Sequence, residues 1–241
     1  MPDNLYETDK LVSEYLLFHY GSAEEILPPG APPGMREALD FAVRTQTHFS
    51  STSERALDLG CAVGRSSYEM SRTCREVVGI DYSHAFVNAA AAIAKGPLDY
   101  TRLDEAHLST KLKAHLPDGV DPSGVSFEQG DAMHLRADLG QFDRVHAANL
   151  LCRLPEPEKL LKRLPVLVSP GGELIIATPC TWLGEFTPPE NWPKAATIDW
   201  LKDHLSSDFD LVLTKDEPFL IRETARKFQW TSSQLSQWKR R

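Results

Sequence analysis

The sequence is short of several things at once. It has four cysteines among 241 residues, at 61, 74, 152 and 180, and no two of them form a C-x-x-C pair. That spacing suits a reducing, cytoplasmic setting better than a disulfide scaffold or a zinc site. Eight histidines occur without an H-E-x-x-H, so no metal is expected. No run comes near the roughly 20 apolar residues of a spanning helix, so no membrane is expected. The acidic residues 1–9 lack the apolar centre of a signal peptide. Positive charge is scarce as well. Lys and Arg number 26 against 34 Asp and Glu, and the net charge of −8 excludes a general nucleic-acid binder. The single basic cluster, Lys239-Arg240-Arg241, is expected to be a solvated tail.

What is present is an ordinary globular composition, with 41% hydrophobic and 25% charged residues. That is enough for one domain with a real core, and no internal repeat divides it. Residues 5–20 place Leu11, Tyr15 and Phe18 at helical spacing ahead of Gly21. Tyr6, Tyr15, His19 and Tyr20 within so short a span read either as packing onto the body or as a lid over a pocket. The proline- and glycine-rich residues 28–34 read as a connector and 35–49 as a second helix. The chain thus divides into a lid and connector over 1–34 and a core over 35–241. From residue 55, apolar strands alternate with helical stretches, which signals a parallel α/β sheet. Strands are expected at 56–60, 77–81, 125–131, 142–148 and 173–178, with helices at 85–95, 156–167 and 195–206. Residues 209–214 and 219–224 read as an antiparallel pair, with 227–230 continuing its second member. The polar stretch 97–123 reads as an excursion.

The most informative stretch is Asp58-Leu59-Gly60-Cys61-Ala62-Val63-Gly64-Arg65. A strand carrying an acid runs into a glycine turn, and a helix start follows, where unpaired N–H groups point outward. The dinucleotide fingerprint needs glycine at 60, 62 and 65, but Ala62 and Arg65 stand there, so the dehydrogenase reading fails. Acid-x-Gly-x-Ala-x-Gly instead resembles the first motif of class I S-adenosylmethionine-dependent methyltransferases. In open α/β sheets, ligands bind at the carboxyl ends of the strands, and polar residues stand at those ends here. Asp81 lies 21 positions after Gly60, near the spacing of a ribose-binding acid. Asp131, with the N–H groups of Ala132 and Met133, suits the adenine edge, and Met133 or Tyr82 can pack on the base. Asp58 is expected to order the turn and to meet the ammonium of the methionine part, directly or through water. The resemblance covers most of 50–230. It implies a Rossmann-like, seven-stranded, mostly parallel sheet with its last strand antiparallel, helices on both faces and an N-terminal helical lid. S-adenosyl-L-methionine is the implied cofactor and S-adenosyl-L-homocysteine the product.

Three longer strings are more specific: residues 6–21 (YETDKLVSEYLLFHYG), 148–155 (ANLLCRLP) and 222–230 (RETARKFQW). They resemble the ovothiol-forming methyltransferases, the C-terminal domain of bifunctional OvoA proteins and the stand-alone OvoM enzymes. That family implies transfer of a methyl group to the π ring nitrogen of 5-thiohistidine, giving ovothiol A. It also implies a sulfoxide synthase acting upstream. One departure is Cys180, where tyrosine is expected after Thr178-Pro179. On this reading Asn149, Tyr15 and Tyr20 stand at the reaction centre. Tyr6, Tyr15, Asn149, Arg153, Trp182, Arg222 and Thr224 are the substrate-side candidates, with Arg153 on the amino acid's carboxylate. Two alternatives remain open: another small amine, thiol or imidazole substrate, and a methyltransferase-like fold that binds without turnover.

Overall fold

The computed structural model describes residues 5–50 and 52–241, so part of the acidic N-terminal stretch lies outside the described residues. A 3-10 turn, Leu5–Glu7, precedes α1 (Asp9–Tyr20). The Thr8 side chain caps α1 by accepting from Leu11 N. A reciprocal capping box between Ser22 and Glu25 starts α2 (Ala23–Ile26). The next segments are α3 (Pro33–Glu37) and α4 (Phe41–Gln46). The expected single helix over 35–49 is therefore two, because Asp40 takes a left-handed φ of 58° and breaks it. The connector is also shorter than expected, since Pro33 opens α3 at the first helical position, where its missing N–H costs nothing.

The main run is β1 (Ser53–Leu59), α5 (Arg65–Met70), β2 (Cys74–Asp81) and α6 (His84–Ile93). Strands β3 (Leu98–Glu105) and β4 (Leu108–Ala114) follow, then β5 (Val125–Gln129) and β6 (Phe142–Ala148). The chain ends with α7 (Pro157–Leu167), β7 (Val168–Thr178), α8 (Thr197–Leu205), β8 (Phe209–Arg222) and β9 (Phe228–Arg240). Seven strands form one sheet in the order β5-β2-β1-β6-β7-β9-β8. Five neighbours run parallel, and β9 enters antiparallel between β7 and β8. This is the expected Rossmann-like α/β sheet.

Period-two alternation splits the core between the two faces. Leu57, Leu59, Val78, Ile80, Val145 and Ile176 pack with Leu160, Leu164 and Leu201 of α7 and α8. Ala56, Val77, Ile175 and Ala177 face Phe41 of α4 and Met70 of α5. Asp58 lies on this second face, fully buried.

One expectation gains detail and two need correction. Residues 97–123 contain a β-hairpin, β3 with β4, as a separate two-stranded sheet. Residues 209–214 and 219–224 are not partners: 209–214 and 219–222 lie in one long strand, β8, and 228–230 opens its partner β9. Pro218 is tolerated in β8 because that strand lies at the sheet edge and need not donate outward. Finally, the basic cluster is no free tail. Arg240 pairs with Asp208 at 2.9 Å and Arg241 with Asp210 at 2.6 Å, while Lys239 sits in register with Glu173. Beside them Trp238 is fully buried in the α7–α8 core, its indole N–H on Ser236 Oγ at 2.9 Å. We predict that Trp238→Ala costs about 3–5 kcal/mol, measured by urea denaturation. A loss within experimental error would show that β9 contributes nothing to the core.

Candidate active site

The carboxyl edge of the sheet is built around a glycine turn and one buried acid. Gly60 N and Cys61 N both donate to Ile80 O, at 2.8 and 3.1 Å, folding the turn onto the end of β2. Gly60 takes φ 69° and Gly64 φ 84°, left-handed values that glycine adopts without strain. A Cβ on Gly64 would lie 2.7 Å from the Phe127 ring, so α5 starts closer to the sheet than any side chain permits. Ala62, between them, is held at φ 47° despite its methyl group. Asn149 (φ 55°) and Cys180 (φ 55°) are strained in the same way, just past the ends of β6 and β7. Strain of this kind gathers where surrounding structure over-determines the backbone, as functional edges do.

Asp81 ties the turn together. Its Oδ2 accepts from Ala62 N at 2.8 Å and its Oδ1 from Ser83 N at 2.9 Å. Burial nevertheless pushes its carboxyl up to about 6, with Asp58 and Glu7 adding to the effect. Two backbone donors do not replace the water it has lost. The N-terminal segment is strapped over this spot. Ser83 Oγ donates to Tyr6 O at 2.9 Å, and the Glu7 carboxylate accepts from His84 N and Ala85 N, at 2.8 and 3.0 Å. Glu7 thereby caps α6, where an anion is favoured. The Tyr6 ring meets Tyr15 edge-on at 6.2 Å and Phe86 at 5.7 Å, and its hydroxyl is hydrogen-bonded to Arg153. Burial raises the Tyr6 and Tyr15 phenols, and Tyr20 too, so all three stay protonated near neutrality.

The other candidates divide by what their side chains already hold. Asp58 accepts from Ser67 Oγ at 2.6 Å and pairs with His146 Nδ1 at 2.8 Å, so both its oxygens brace the base of the turn. Cys61 is buried and its thiol is pushed up by desolvation, which keeps it protonated. Arg65 binds Glu69 at 2.9 Å and lies over the Tyr20 ring. Asp131 accepts from Met133 N at 2.8 Å and from the His134 side, while Ala132 beside it is buried. Tyr82 is half exposed at the end of β2. Asn149 Oδ1 accepts from Ser233 Oγ at 2.6 Å. Arg153 donates through Nη1 to Thr181 O at 3.1 Å and covers the Phe186 ring at 4.7 Å.

Three candidates are engaged elsewhere. Arg222 donates to Glu25 O and Ile26 O and binds Asp104, which anchors the β3–β4 hairpin. Thr224 accepts from Arg226 N and Lys227 N and so closes the β8–β9 turn. Trp182 donates to Thr197 Oγ1 at 3.1 Å and meets Trp200 edge-on, which secures α8. Thus Asp81, Ala62, Tyr6, Tyr15 and Arg153 come together, whereas Arg222, Thr224 and Trp182 serve neighbouring packing. Glu7, Ser83 and Ser233 escaped the sequence reading. Ser83 at least carried a signal, standing as a helix N-cap two positions after Asp81.

Among the described residues no cluster of His, Cys, Asp and Glu could hold a metal, and no helix is long and apolar enough to cross a membrane.

Comparison with known proteins agrees with this geometry. Residues 57–176 match the family described as methyltransferase domain. Tocopherol O-methyltransferase of Arabidopsis thaliana is 28% identical over 147 residues, covering 61% of this chain and 36% of the relative. Ubiquinone biosynthesis O-methyltransferase of Stutzerimonas stutzeri is 28% identical over 132 residues, covering 54% of this chain and 47% of the relative. The match therefore spans less than half the length of these curated relatives. N-methyltransferase NodS of Bradyrhizobium japonicum, solved with S-adenosyl-L-homocysteine, superposes with a TM-score of 0.55 at 14% identity. That match covers 95% of this chain and 98% of NodS. Fold and edge together define the class, a Rossmann-like methyltransferase domain. More narrowly, residues 57–176 match a methyltransferase domain, and the fold around them is that of NodS.

The residues present fit S-adenosyl-L-methionine. Asp81 is a buried carboxylate with spare acceptor capacity, and a ribose diol offers the two donors it lacks. We predict that S-adenosyl-L-homocysteine affinity drops about tenfold between pH 8 and pH 5 as Asp81 takes up a proton. Calorimetry across that range is the check, and a flat profile would contradict the assignment. The raised value also means that Asp81 stabilises the apoprotein most below its ordinary range near pH 4. That contribution is lost as pH rises through about 6.

Proposed function

We propose that this chain methylates the π ring nitrogen of 5-thiohistidine, giving ovothiol A, with S-adenosyl-L-methionine as donor. The single observation that supports it most is the meeting of Tyr6 and Arg153 beside Asp81. Two of the three family-like strings contribute those residues from 147 positions apart in the chain, and they converge on one spot. On this reading 5-thiohistidine is the small-molecule partner, a sulfoxide synthase acts upstream, and the setting is cytoplasmic.

Bound cofactor supplies an electrophilic methyl carbon on a sulfonium. The chain's task is then to hold the ring nitrogen in line with that carbon, and positioning of this kind can contribute roughly 7–11 kcal/mol. Asp81 fixes the ribose and Asp131 the adenine edge, with Ala132, Met133 and Tyr82 around the base. Gly60, Cys61, Ala62, Gly64 and Arg65 form the floor, braced from below by Asp58. Arg153 is already oriented by Thr181 and Phe186, and it clamps the substrate carboxylate. Tyr6 and Tyr15 wall the imidazole. Tyr20 acts from further back, since its hydroxyl donates to Val63 O at 2.8 Å and steadies the turn. The harder task is selectivity, because a thiolate is the better nucleophile. Asn149 suits it. With its carbonyl oxygen on Ser233, its N–H groups can hold the sulfur and leave the π nitrogen presented. No strong base is needed, because the product can lose its proton afterwards. Trp182, Arg222 and Thr224 act on this scheme only by holding α8 and the β8–β9 end in place.

A second reading, another small substrate, is favoured by Cys180, since the resembled family leads one to expect tyrosine there. The curated relatives bear O-methyltransferase names, which points the same way.

Mass spectrometry of methyl transfer to 5-thiohistidine, with histidine and a simple thiol in parallel, tests the proposal. The expected result is one methyl on ring nitrogen of 5-thiohistidine alone. Cofactor binding with no transfer to it would discard this substrate. Arg153→Ala should raise the substrate KM about tenfold or more while leaving cofactor affinity within about twofold. An unchanged KM would remove Arg153 from the substrate site.

A further inference from the structure

Helix α1 ends directly over the glycine turn. Arg65 Nη1 donates to the His19 carbonyl at 3.0 Å, and the Tyr20 hydroxyl donates to Val63 O at 2.8 Å. Between these two anchors the His19 ring packs among Tyr15, Phe18 and Tyr20, with centroids 5.9, 5.0 and 6.5 Å away. Its Nδ1 is buried and has no hydrogen-bond partner among the described residues. Burial pushes the imidazole down to about 3, the Arg65 guanidinium adds to this, and Asp58 offsets only part. The ring is therefore neutral. Buried polar atoms are almost always paired, and an apolar ring would fill this place without leaving a nitrogen unsatisfied. Packing alone thus gives no reason for histidine here.

We propose that His19 Nδ1 accepts a hydrogen bond from an α-ammonium group bound against the glycine turn. The surroundings favour that ligand chemistry. A neutral imidazole attracts an ammonium where an imidazolium would repel it. The Tyr15 ring beside it suits a cation, whereas the Tyr20 ring is already covered by Arg65. The buried Asp58 carboxylate lies within electrostatic range of the ring. The nearest competing cation, Arg65, is paired with Glu69 at 2.9 Å. The inference rests on the methyltransferase reading above, in which two molecules carry an α-ammonium: the methionine part of the cofactor and the amino-acid substrate.

The test separates those sources. S-adenosyl-L-homocysteine and 5′-methylthioadenosine, which keeps the nucleoside but lacks the amino acid, are titrated into the wild-type chain, His19→Phe and His19→Asn. Asparagine keeps an acceptor near the Nδ1 position. Substrate KM is measured in parallel. If the cofactor is the source, His19→Phe weakens S-adenosyl-L-homocysteine about tenfold, leaves 5′-methylthioadenosine unchanged, and His19→Asn recovers most of the loss. If the substrate is the source, KM rises by a similar factor, cofactor affinity holds, and asparagine again rescues. Equal weakening of both nucleosides, or no change in any of the three, would overturn the proposal. Failure of the wild-type chain to bind S-adenosyl-L-homocysteine would remove the methyltransferase reading and this inference with it. Binding that ignores His19 would remove the inference alone.

Discussion

The carboxylate of Asp81 is the constraint on which the cofactor edge depends. It sits at the end of β2 and accepts one hydrogen bond from the glycine turn after β1 and one from the start of α6. Those two contacts set the distance between the turn and the helix, which is the width of the site. Burial makes them costly, since a carboxylate in that position keeps its charge only with difficulty. An acid kept there at such a cost is better explained by a ligand that completes its hydrogen bonding than by folding alone. The N-terminal segment depends on the same place, because Ser83 and the first N–H groups of α6 are what hold Tyr6 and Glu7.

Around that carboxylate the edge is built under strain. Ala62, Asn149 and Cys180 are non-glycine residues in left-handed conformation at the ends of β1, β6 and β7. Each is over-determined by its neighbours. Ala62 is held by Asp81, Asn149 by Ala177 O and Ser233, and Cys180 by Thr178 Oγ1 at 3.2 Å. Below them, Asp58, Ser67, His146 and Thr45 form a buried chain of hydrogen bonds linking β1, α5, β6 and α4. The edge is thus stiff around the glycine turn. Around Arg153, by contrast, contacts such as that with Thr181 are local and partly exposed.

Much of this was legible in the sequence, for a definite reason. Central parallel strands are buried on both faces and announce themselves as short apolar runs, so the expected β6 matches the observed bounds, while β1 and β2 match at their carboxyl ends to within one residue and begin three residues earlier than expected. The acids stand out because each ends such a run. What was not legible depended on backbone angles or distant partners. Asp40 turns left-handed and splits a helix, and no proline or glycine beside it announces the break. The β3–β4 hairpin is half exposed and charged, which hides its alternation of Leu98, Tyr100 and Arg102. Strand β8 looked broken because Lys215-Asp216-Glu217-Pro218 interrupts it, yet Glu217 is buried against Arg44 and His48. Arg222 and Thr224 looked like site residues from their string alone. Only the fold shows that Glu25, Asp104 and the β8–β9 turn occupy them.

The most direct test of the account is titration of S-adenosyl-L-homocysteine into the wild-type chain and Asp81→Asn, with folding verified by circular dichroism. If the Asp81 carboxylate is the anchor of the cofactor edge, the wild-type chain binds and the variant loses about a hundredfold in affinity while remaining folded. Equal affinity in the two proteins, with only their melting temperatures differing, would make Asp81 a structural acid and contradict the account.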